Sequence, residues 1–169
     1  MPDVLTKAKR SQVMSRIRGH GNRATELALI RIFRAHGITG WRRQLQIRSA
    51  ERGTRRSTSP RPSPQRGEGE DFRVRPDFVF PKLKLAIFVD GCFWHGCPQH
   101  ATKPKNNGAF WRKKFAANKA RDRLVTRVLR SRGWRVLRIW EHALARRNER
   151  RCIRRILQRL ESAAARRCR

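Results

Sequence analysis

The twelve residues from 89 to 100, VDGCFWHGCPQH, contain two cysteines, two histidines and an aspartate. Cys92 and Cys97 are five positions apart, and His100 follows three positions later. Thiolates and imidazoles are zinc ligands, and a structural zinc takes four of them in a tetrahedron. The spacing therefore predicts three ligands of a zinc site on one short loop. His142 is the favoured fourth ligand and Cys152 the second choice; the alternative is a pair of buried thiols without metal.

Two acids lie at the ends of neighbouring apolar runs. Asp77 opens one run after Arg75-Pro76, and Asp90 closes the next. If these runs are adjacent strands, both carboxylates lie at facing strand ends and can hold Mg²⁺ against a phosphodiester. Magnesium keeps most of its water, so one or two carboxylates are enough. The structural alternatives are strand-end capping by Asp77 and turn formation by the Asp90-Gly91 pair.

His95 lies between the two cysteines. An imidazole titrates near neutral pH and can take a proton from a water molecule that attacks phosphorus. This chemistry predicts a general base at His95. The alternative is that His95 binds the zinc and His100 does not, and the spacing leaves both assignments open.

Aromatic residues surround this histidine. Phe93 and Trp94 precede it on a loop that is expected to be partly exposed, and Trp111 follows nearby. Apolar side chains can enter between base pairs and unstack them, at a cost of roughly a few kcal/mol per step. The alternative for any aromatic residue is core packing, which is the interpretation adopted for Trp134 and Trp140 on a strand pattern.

The charge of the chain indicates the class of partner. The 169 residues include 43 Lys and Arg against 12 Asp and Glu, giving a formal net charge of +31. A compact domain with this charge repels itself unless it meets a polyanion, which predicts nucleic-acid binding with salt-sensitive affinity. A basic surface without a dedicated ligand is the alternative. A ribosomal RNA-binding protein would share the charge but rarely needs the Cys/His cluster.

The sequence also favours a cytoplasmic protein. No stretch approaches the roughly 20 apolar residues of a membrane span, and the N-terminus lacks the apolar block of a signal peptide. In a reducing compartment, cysteines near histidines suggest metal before disulfide. A monomer is expected, because no long apolar stripe is left without a partner.

The elements that position these groups follow from hydrophobic periodicity. Residues 9–18 place Val13, Met14 and Ile17 at helical spacing. A second helix is predicted over 22–37, with Asn22 or Thr25 as cap, Leu27, Ile30 and Phe33 buried, and Gly37 at its end.

The rest of the chain predicts a mixed α/β domain. DFVF and LAIFV indicate two neighbouring strands in a hairpin, and WRVLRIW a third strand. Helices are predicted over 108–132 and 143–168, giving the order α, α, β, β, α, β, α. Their expected apolar stripes are Trp111, Phe115, Leu124, Val125, Val128 and Leu129, then Ile153, Ile156, Leu157 and Leu160.

Residues 49–70 differ in composition from everything around them. They contain three prolines, three glycines, four serines and no large apolar residue. Such a segment cannot bury enough surface to offset the entropy lost on ordering. We therefore predict a single domain over 1–169 with a disordered insertion at 49–70.

The stretches DFVF…FVDGCFWHGCP, FWRKKFAANKARDR and GWRVLRIWEHAL resemble the very-short-patch-repair (Vsr) endonucleases, as does RSQVMSRIRGHGNRATELAL. The resemblance covers about 8–48 and 71–160. It implies a restriction-endonuclease-like core that binds double-stranded DNA at a T·G mismatch, left when 5-methylcytosine deaminates. It further implies a nick 5′ to the mismatched thymine. Repair-protein partners fit this interpretation, although the sequence does not identify them.

The resemblance also implies residue roles. Asp77 would bind Mg²⁺, His95 would be the general base, and Glu26 would support the active site. Asp90 is included among the candidate catalytic residues because of its position at the strand end, and not because of the resemblance. The structural zinc would be held by Cys92, Cys97, His100 and His142. The DNA-contacting residues would be Met14, Phe93, Trp94 and Trp111.

Some features depart from the family pattern. Related nucleases carry an acidic-x-Lys signature on the second strand, where this chain has Val89-Asp90 and no lysine. Val74 replaces the usual glycine before Arg-Pro-Asp, and 49–70 replaces a short link. These departures keep two rival hypotheses open, namely a non-catalytic zinc-containing DNA-binding protein and a nuclease remnant disabled by the insertion.

Overall fold

A computed structural model describes residues 12, 24–48, 72–102, 104 and 107–165. Most of the predicted helix over 9–18, including Met14, and the predicted insertion over 49–70 lie outside these residues. Within the described part of the chain, no helix combines the length and the apolar character needed to cross a membrane.

The described residues form a mixed α/β fold. The helices are α1 (Glu26–Ala35), α2 (Gly108–Ser131) and α3 (Glu149–Ala165). The strands are β1 (Arg42–Arg43), β2 (Ile47–Arg48), β3 (Arg73–Val74), β4 (Phe78–Phe80), β5 (Leu85–Asp90) and β6 (Arg135–Trp140). Short 3₁₀ turns occupy Pro81–Leu83, Glu141–Leu144 and Arg146–Asn148.

Four strands make the central sheet, in the order β1-β4-β5-β6. β4 pairs antiparallel with both β1 and β5, which confirms the predicted hairpin of DFVF and LAIFV. β6 pairs parallel with β5 along its whole length, from Leu85 opposite Arg135 to Asp90 opposite Trp140. A parallel pair requires a crossover, and α2 supplies it. The ends of β5 and β6 therefore lie side by side.

The sheet separates two apolar clusters, because alternate residues of a strand point to opposite faces. Phe78, Leu85, Ile87, Leu137 and Ile139 pack with α1 and α3 on one face. On the other face, Val79 and Ala86 pack with Leu129 of α2 and Ile47 of β2. The sheet is therefore the middle layer of three, with α1 and α3 packed on one face and α2 on the other.

Several local predictions are wrong in detail. Leu27 is 40% exposed, and the buried positions of α1 are Glu26, Leu29, Ile30, Ile32 and Phe33. Ile30 and Phe33 are buried as predicted, but Leu27 lies on the exposed face of the helix. Thr25 does stand at the N-terminal end of α1, but its side chain makes no capping hydrogen bond.

The two later helices bury less than their patterns predicted. In α2 only Leu129 is buried, and Leu124 is 53% exposed. The last helix begins at 149 and not at 143, because Ala145 is extended and two 3₁₀ turns occupy the intervening residues. In α3, Leu157 is 39% exposed. Trp134 and Trp140, predicted as core residues, are only partly buried at the two ends of β6.

Candidate active centre and metal site

The loop after β5 and the turn after β6 bring four metal-ligating side chains together. Each of Cys92, Cys97, His100 and His142 offers one ligand atom, and these atoms all lie within 4.8 Å of one another. Sγ of Cys92 is 3.2 Å from Nδ1 of His142, and Sγ of Cys97 is 3.6 Å from the same nitrogen. Nδ1 of His100 is 3.9 Å from Sγ of Cys97. The set is the one that the sequence favoured.

These separations match the donor set that a tetrahedral metal requires. Metal bonds of about 2.0 Å to nitrogen and 2.3 Å to sulfur place tetrahedral ligands about 3.3–3.8 Å apart. The three measured edges lie close to this range, so the four residues fit a Zn²⁺-sized ion. Burial raises the pKa of the Cys92 thiol, and Cys97 beside it raises that pKa further. Burial and the neighbouring His100 lower the pKa of His142, which favours the neutral imidazole that metals bind.

Hydrogen bonds hold the loop after β5 close to the turn after β6. The backbone N–H of Cys92 donates to Oε2 of Glu141 at 3.1 Å, across the ends of β5 and β6. The side-chain amide of Asn148 donates to the carbonyl oxygen of His142 at 2.8 Å. The 3₁₀ turns after β6 therefore fold back on the backbone of His142, whose ring lies beside the two cysteines.

Cys152, the second choice for the fourth ligand, lies outside the four-residue cluster. It belongs to α3 and is buried, and that burial raises its pKa to about 11. It lines a cavity of about 450 Å³ together with Cys97 and His142. The thiol is therefore a neighbour of the metal site rather than part of it.

A second cluster lies on the same loop, around His95. Nδ1 of His95 is 2.6 Å from Oδ2 of Asp122, which comes from the middle of α2. The same ring nitrogen is 3.8 Å from Oδ1 of Asp90. His95 thus lies in a separate group from the four candidate metal ligands Cys92, Cys97, His100 and His142. With Nδ1 directed at Asp122, the ring's Nε2 remains for external chemistry.

Arg138 of β6 joins the two acids of this cluster. Its Nε and Nη2 donate to the two carboxylate oxygens of Asp90 at 2.7 and 2.5 Å. Its Nη2 is also 2.9 Å from Oδ1 of Asp122. The pKa of Arg138 is raised despite its burial, because Asp90 and Asp122 both stabilise the guanidinium. Both oxygens of Asp90 are therefore committed to a fixed cation, and the guanidinium supplies the positive charge between the two acids.

Asp77 has a different environment. Its Oδ2 accepts a hydrogen bond from the backbone N–H of Val89 at 2.7 Å, and it forms no ion pair with any described residue. The pKa of Asp77 is raised to about 6, mainly by burial and also by the charges of Glu26 and Asp90, against the lowering effects of that hydrogen bond and of Arg138. A buried carboxylate near two other acids favours a nearby cation. Asp77 is therefore the acid of this region best suited to a metal ion.

Glu26 is buried at the start of α1 with only 3% of its surface exposed. Its Oε2 is 2.7 Å from Nη2 of Arg43 in β1, and its charge acts on Asp77. α1 thus brings an acid to the Asp77 edge of the sheet. The supporting role that the resemblance implied for Glu26 stays a prediction.

The aromatic residues form one cluster between the loop and the first turns of α2. The ring of Phe93 lies 5.2 Å from Trp94, 5.0 Å from Trp111 and 5.5 Å from Phe115. Trp94 and Trp111 are 6.0 Å apart and both are partly exposed. Phe110, which the sequence argument did not single out, is 61% exposed at the edge of this cluster. The rings of this cluster thus pack against one another and still leave part of their surface exposed to solvent.

Sequence reasoning missed three residues that complete the site. Asp122 and Arg138 complete the His95 cluster, and Asn118 donates from its side chain to the carbonyl oxygen of Trp94 at 2.8 Å. Asn118 and Asp122 are four positions apart on α2, so they share one helix face. An acid in the strongly basic α2 was the available signal, because Asp122 is the only acid between 108 and 131.

Comparisons with known proteins cover the segment that carries this site. A family model described as "DNA mismatch endonuclease Vsr" matches residues 65–101, which include Asp77, His95 and both loop cysteines. The type II nicking enzyme V.NaeI of Lentzea aerocolonigenes is 50% identical over 74 residues, 44% of this chain and 45% of that protein. The DNA mismatch endonuclease Vsr of Escherichia coli (strain K12) is 42% identical over 86 residues, 46% of this chain and 55% of that protein.

A longer match establishes the family. The type II nicking enzyme V.NmeAIP of Neisseria meningitidis serogroup A is 30% identical over 145 residues, which is 83% of each chain. The chain belongs to the Vsr family of endonucleases. In three of the other relatives, V.NaeI, V.XorIIP and V.NmeDIP, the match spans only about half of the relative's length.

Proposed function

We propose that this protein is a DNA endonuclease that nicks one strand 5′ to the thymine of a T·G mismatch, as in very short patch repair. The observation that carries the proposal is the His95–Asp122 pair at the end of β5, with acids on one side and an aromatic surface on the other. Relatives named nicking enzymes and a relative named DNA mismatch endonuclease support the reaction type. The net charge of +31 supports DNA as the partner.

His95 is the proposed general base. Its Nδ1 is engaged by Asp122, so Nε2 is the nitrogen that takes the proton from the attacking water. Asp122 fixes the orientation of the ring and stabilises the imidazolium that proton transfer produces. Arg138 in turn holds Asp122 and Asp90 in place. We therefore assign Asp90 a positioning role through Arg138 in place of direct metal binding.

Asp77 is the proposed ligand for Mg²⁺, supported by Glu26. Mg²⁺ bound at this edge would stabilise charge on the phosphate and on the leaving oxygen. Asp77 suits this role because it is partly buried, close to two other acids and without an ion pair among the described residues. The four Cys and His ligands suit a structural zinc, since no ligand position in that set is left for substrate.

The aromatic cluster is the proposed wedge. Phe93, Trp94 and Trp111 support one another through edge contacts, so one ring can enter the base stack while the others keep its position. A T·G wobble pair costs less to distort than a matched pair, which gives selectivity. Beside the active centre, Arg123, Arg127 and Arg130 line an open groove of about 610 Å³ along α2 and suit the DNA backbone.

The restriction-endonuclease-like core, a single domain and a cytoplasmic location complete the proposal. A mixed sheet with an acid at the start of one strand and the active loop after the next is compatible with such a core. Free thiols that act as metal ligands suit a reducing compartment.

A nicking assay tests the proposal. The substrate would be a labelled duplex with one T·G mismatch beside a fully matched control, incubated with Mg²⁺ or with a chelator. We expect Mg²⁺-dependent nicking next to the thymine by the wild type and none by His95→Ala or Asp77→Asn. Glu161→Gln, which removes an exposed carboxylate far along α3, is the matched control and should remain active.

The same assay separates the rival hypotheses. A folded, zinc-loaded protein that binds the mismatch without nicking would support the non-catalytic protein or the disabled remnant. Equal nicking of matched and mismatched duplexes would contradict the mismatch specificity while keeping the endonuclease.

A further inference from the structure

A basic cavity lies at the opposite end of the central sheet from the active centre. Its volume is about 620 Å³. It is formed where β5 and β6 begin, whereas His95 and the metal ligands follow the ends of these strands. Six residues at about 3.3 Å per residue place the two ends of β5 roughly 17 Å apart. The cavity is therefore separate from His95 and from the four Cys and His residues, and it shares only Arg130 with the groove along α2.

Four segments supply cations to this cavity. Lys82 and Lys84 come from the turn before β5, Arg130 from the last turn of α2, Arg135 from the start of β6 and Arg159 from α3. None of its described lining residues is acidic. Like charges gathered in one concave space repel one another, and an anion in that space relieves the repulsion.

The side chain of Arg135 gives an independent indication. Its Nη1 is buried and has no hydrogen-bond partner in the described part of the chain. A buried guanidinium nitrogen normally finds an acceptor oxygen. The backbone of the same residue is fixed, since its N–H donates to the carbonyl oxygen of Lys84 at 2.7 Å. The backbone of Arg135 is thus fixed at the wall of the cavity, and its guanidinium group includes one buried nitrogen without an acceptor.

We propose that this cavity is a second phosphate-binding site, in which Arg135 and Arg159 bind the oxygens of a phosphate group. Arginine suits this ligand because its guanidinium matches phosphate geometry with paired donors. The remaining lining residues are uncharged, namely Leu83, Gly133, Trp134, Val136 and Ala163. The phosphate group has two sources, the backbone of a nucleic acid and free inorganic phosphate, and they differ in their effect on DNA binding.

The test compares two double variants of equal charge. Arg135→Gln with Arg159→Gln removes the proposed phosphate ligands. Arg150→Gln with Arg154→Gln is the control, because both residues are exposed on α3 and neither lines this cavity. Arg159→Gln alone is a second test variant. Its exposed helix position tolerates the change, so this variant still tests the proposal if the double variant misfolds.

The first readout is the midpoint of thermal unfolding during titration with inorganic phosphate, against chloride at equal ionic strength. A ligand that binds the folded state raises this midpoint with concentration. We expect a saturating rise for the wild type and the control, and a loss of that rise in the cavity variants. Equal rises in the cavity and control variants, or no rise in the wild type, would overturn the proposal.

The second readout is the affinity for a long, fully matched duplex at several salt concentrations, with no nicking required. If the DNA backbone fills the cavity, the cavity double variant binds about tenfold more weakly than the control, and its salt slope falls by about 0.9 per lost contact. If free phosphate is the ligand, the two double variants bind the duplex alike and differ only in the thermal readout. Neither readout depends on His95, so loss of the nicking activity and loss of this site are distinguishable.

Discussion

Replacing Asp122 with asparagine isolates the contribution of the His95–Asp122 pair. The change preserves the size of the side chain and removes its charge. The atoms of the pair are 2.6 Å apart, and the two side chains are 20% and 18% exposed. A hydrogen bond to a charged group contributes about 1.5–3 kcal/mol, and about 1.36 kcal/mol corresponds to a factor of ten in rate. Because both groups keep some contact with water, we expect nicking to slow by roughly ten- to a hundredfold.

The assay is single-turnover nicking of the mismatched duplex at saturating protein, repeated over a range of Mg²⁺ concentrations. If Asp122 orients His95, the loss persists at every Mg²⁺ concentration. Full recovery at high Mg²⁺ would instead make Asp122 a metal ligand, an alternative that exists because Asp90, His95 and Asp122 could themselves surround an ion. A rate within twofold of the Glu161→Gln control would refute the reasoning.

Four further predictions follow from the same geometry. Cys97→Ser should lower the zinc content from about one ion per chain and expose the loop to proteolysis, which metal analysis and limited digestion would detect. Asp77 has a folded pKa of about 6 against an ordinary 3.8, so its charged form opposes folding. Stability should thus fall by about 2–3 kcal/mol as pH rises from 4 to 6, and Asp77→Asn should abolish this component in denaturant titrations. Arg138→Gln removes the guanidinium partner of buried Asp90 and should cost about 2–4 kcal/mol of unfolding free energy, with partial recovery when Asp90→Asn is added. Gly96→Ala should cost about 1–2 kcal/mol, because Gly96 has φ +61°; an unchanged unfolding midpoint would contradict this.

The predicted strands and the long helix α2 were readable because their signals are local. LAIFV and WRVLRIW are β-rich runs of the length of a strand, and Gly133 follows α2 with φ +75°. The order of the strands in the sheet and the buried face of each helix were harder to predict, because they depend on which elements pack against each other. Leu27 shows this limit, because its spacing suits a buried stripe while the packed face of α1 lies on Leu29 and Phe33.

The two-residue strands were also beyond sequence reasoning. β1 and β3 consist of Arg42–Arg43 and Arg73–Val74, which have neither the length nor the alternation of a predicted strand. They exist because neighbouring strands offer hydrogen-bond partners. β1, for example, pairs with β4 and carries Arg43 to the buried Glu26.

The sequence by itself determined which chemical groups the loop from 89 to 100 carries, namely two thiols, two imidazoles and one carboxylate. Cys92, Cys97 and His100 lie within nine positions, so any turn in this loop keeps them close. Only the tertiary structure decided which histidine joins the metal ligands, and which distant residues complete each cluster. The parallel pairing of β5 and β6 through α2 brings His142, Arg138 and Asp122 to the loop from up to 50 positions away. Among 43 basic and 12 acidic residues many such pairs are conceivable, and packing of the sheet selects the ones that form.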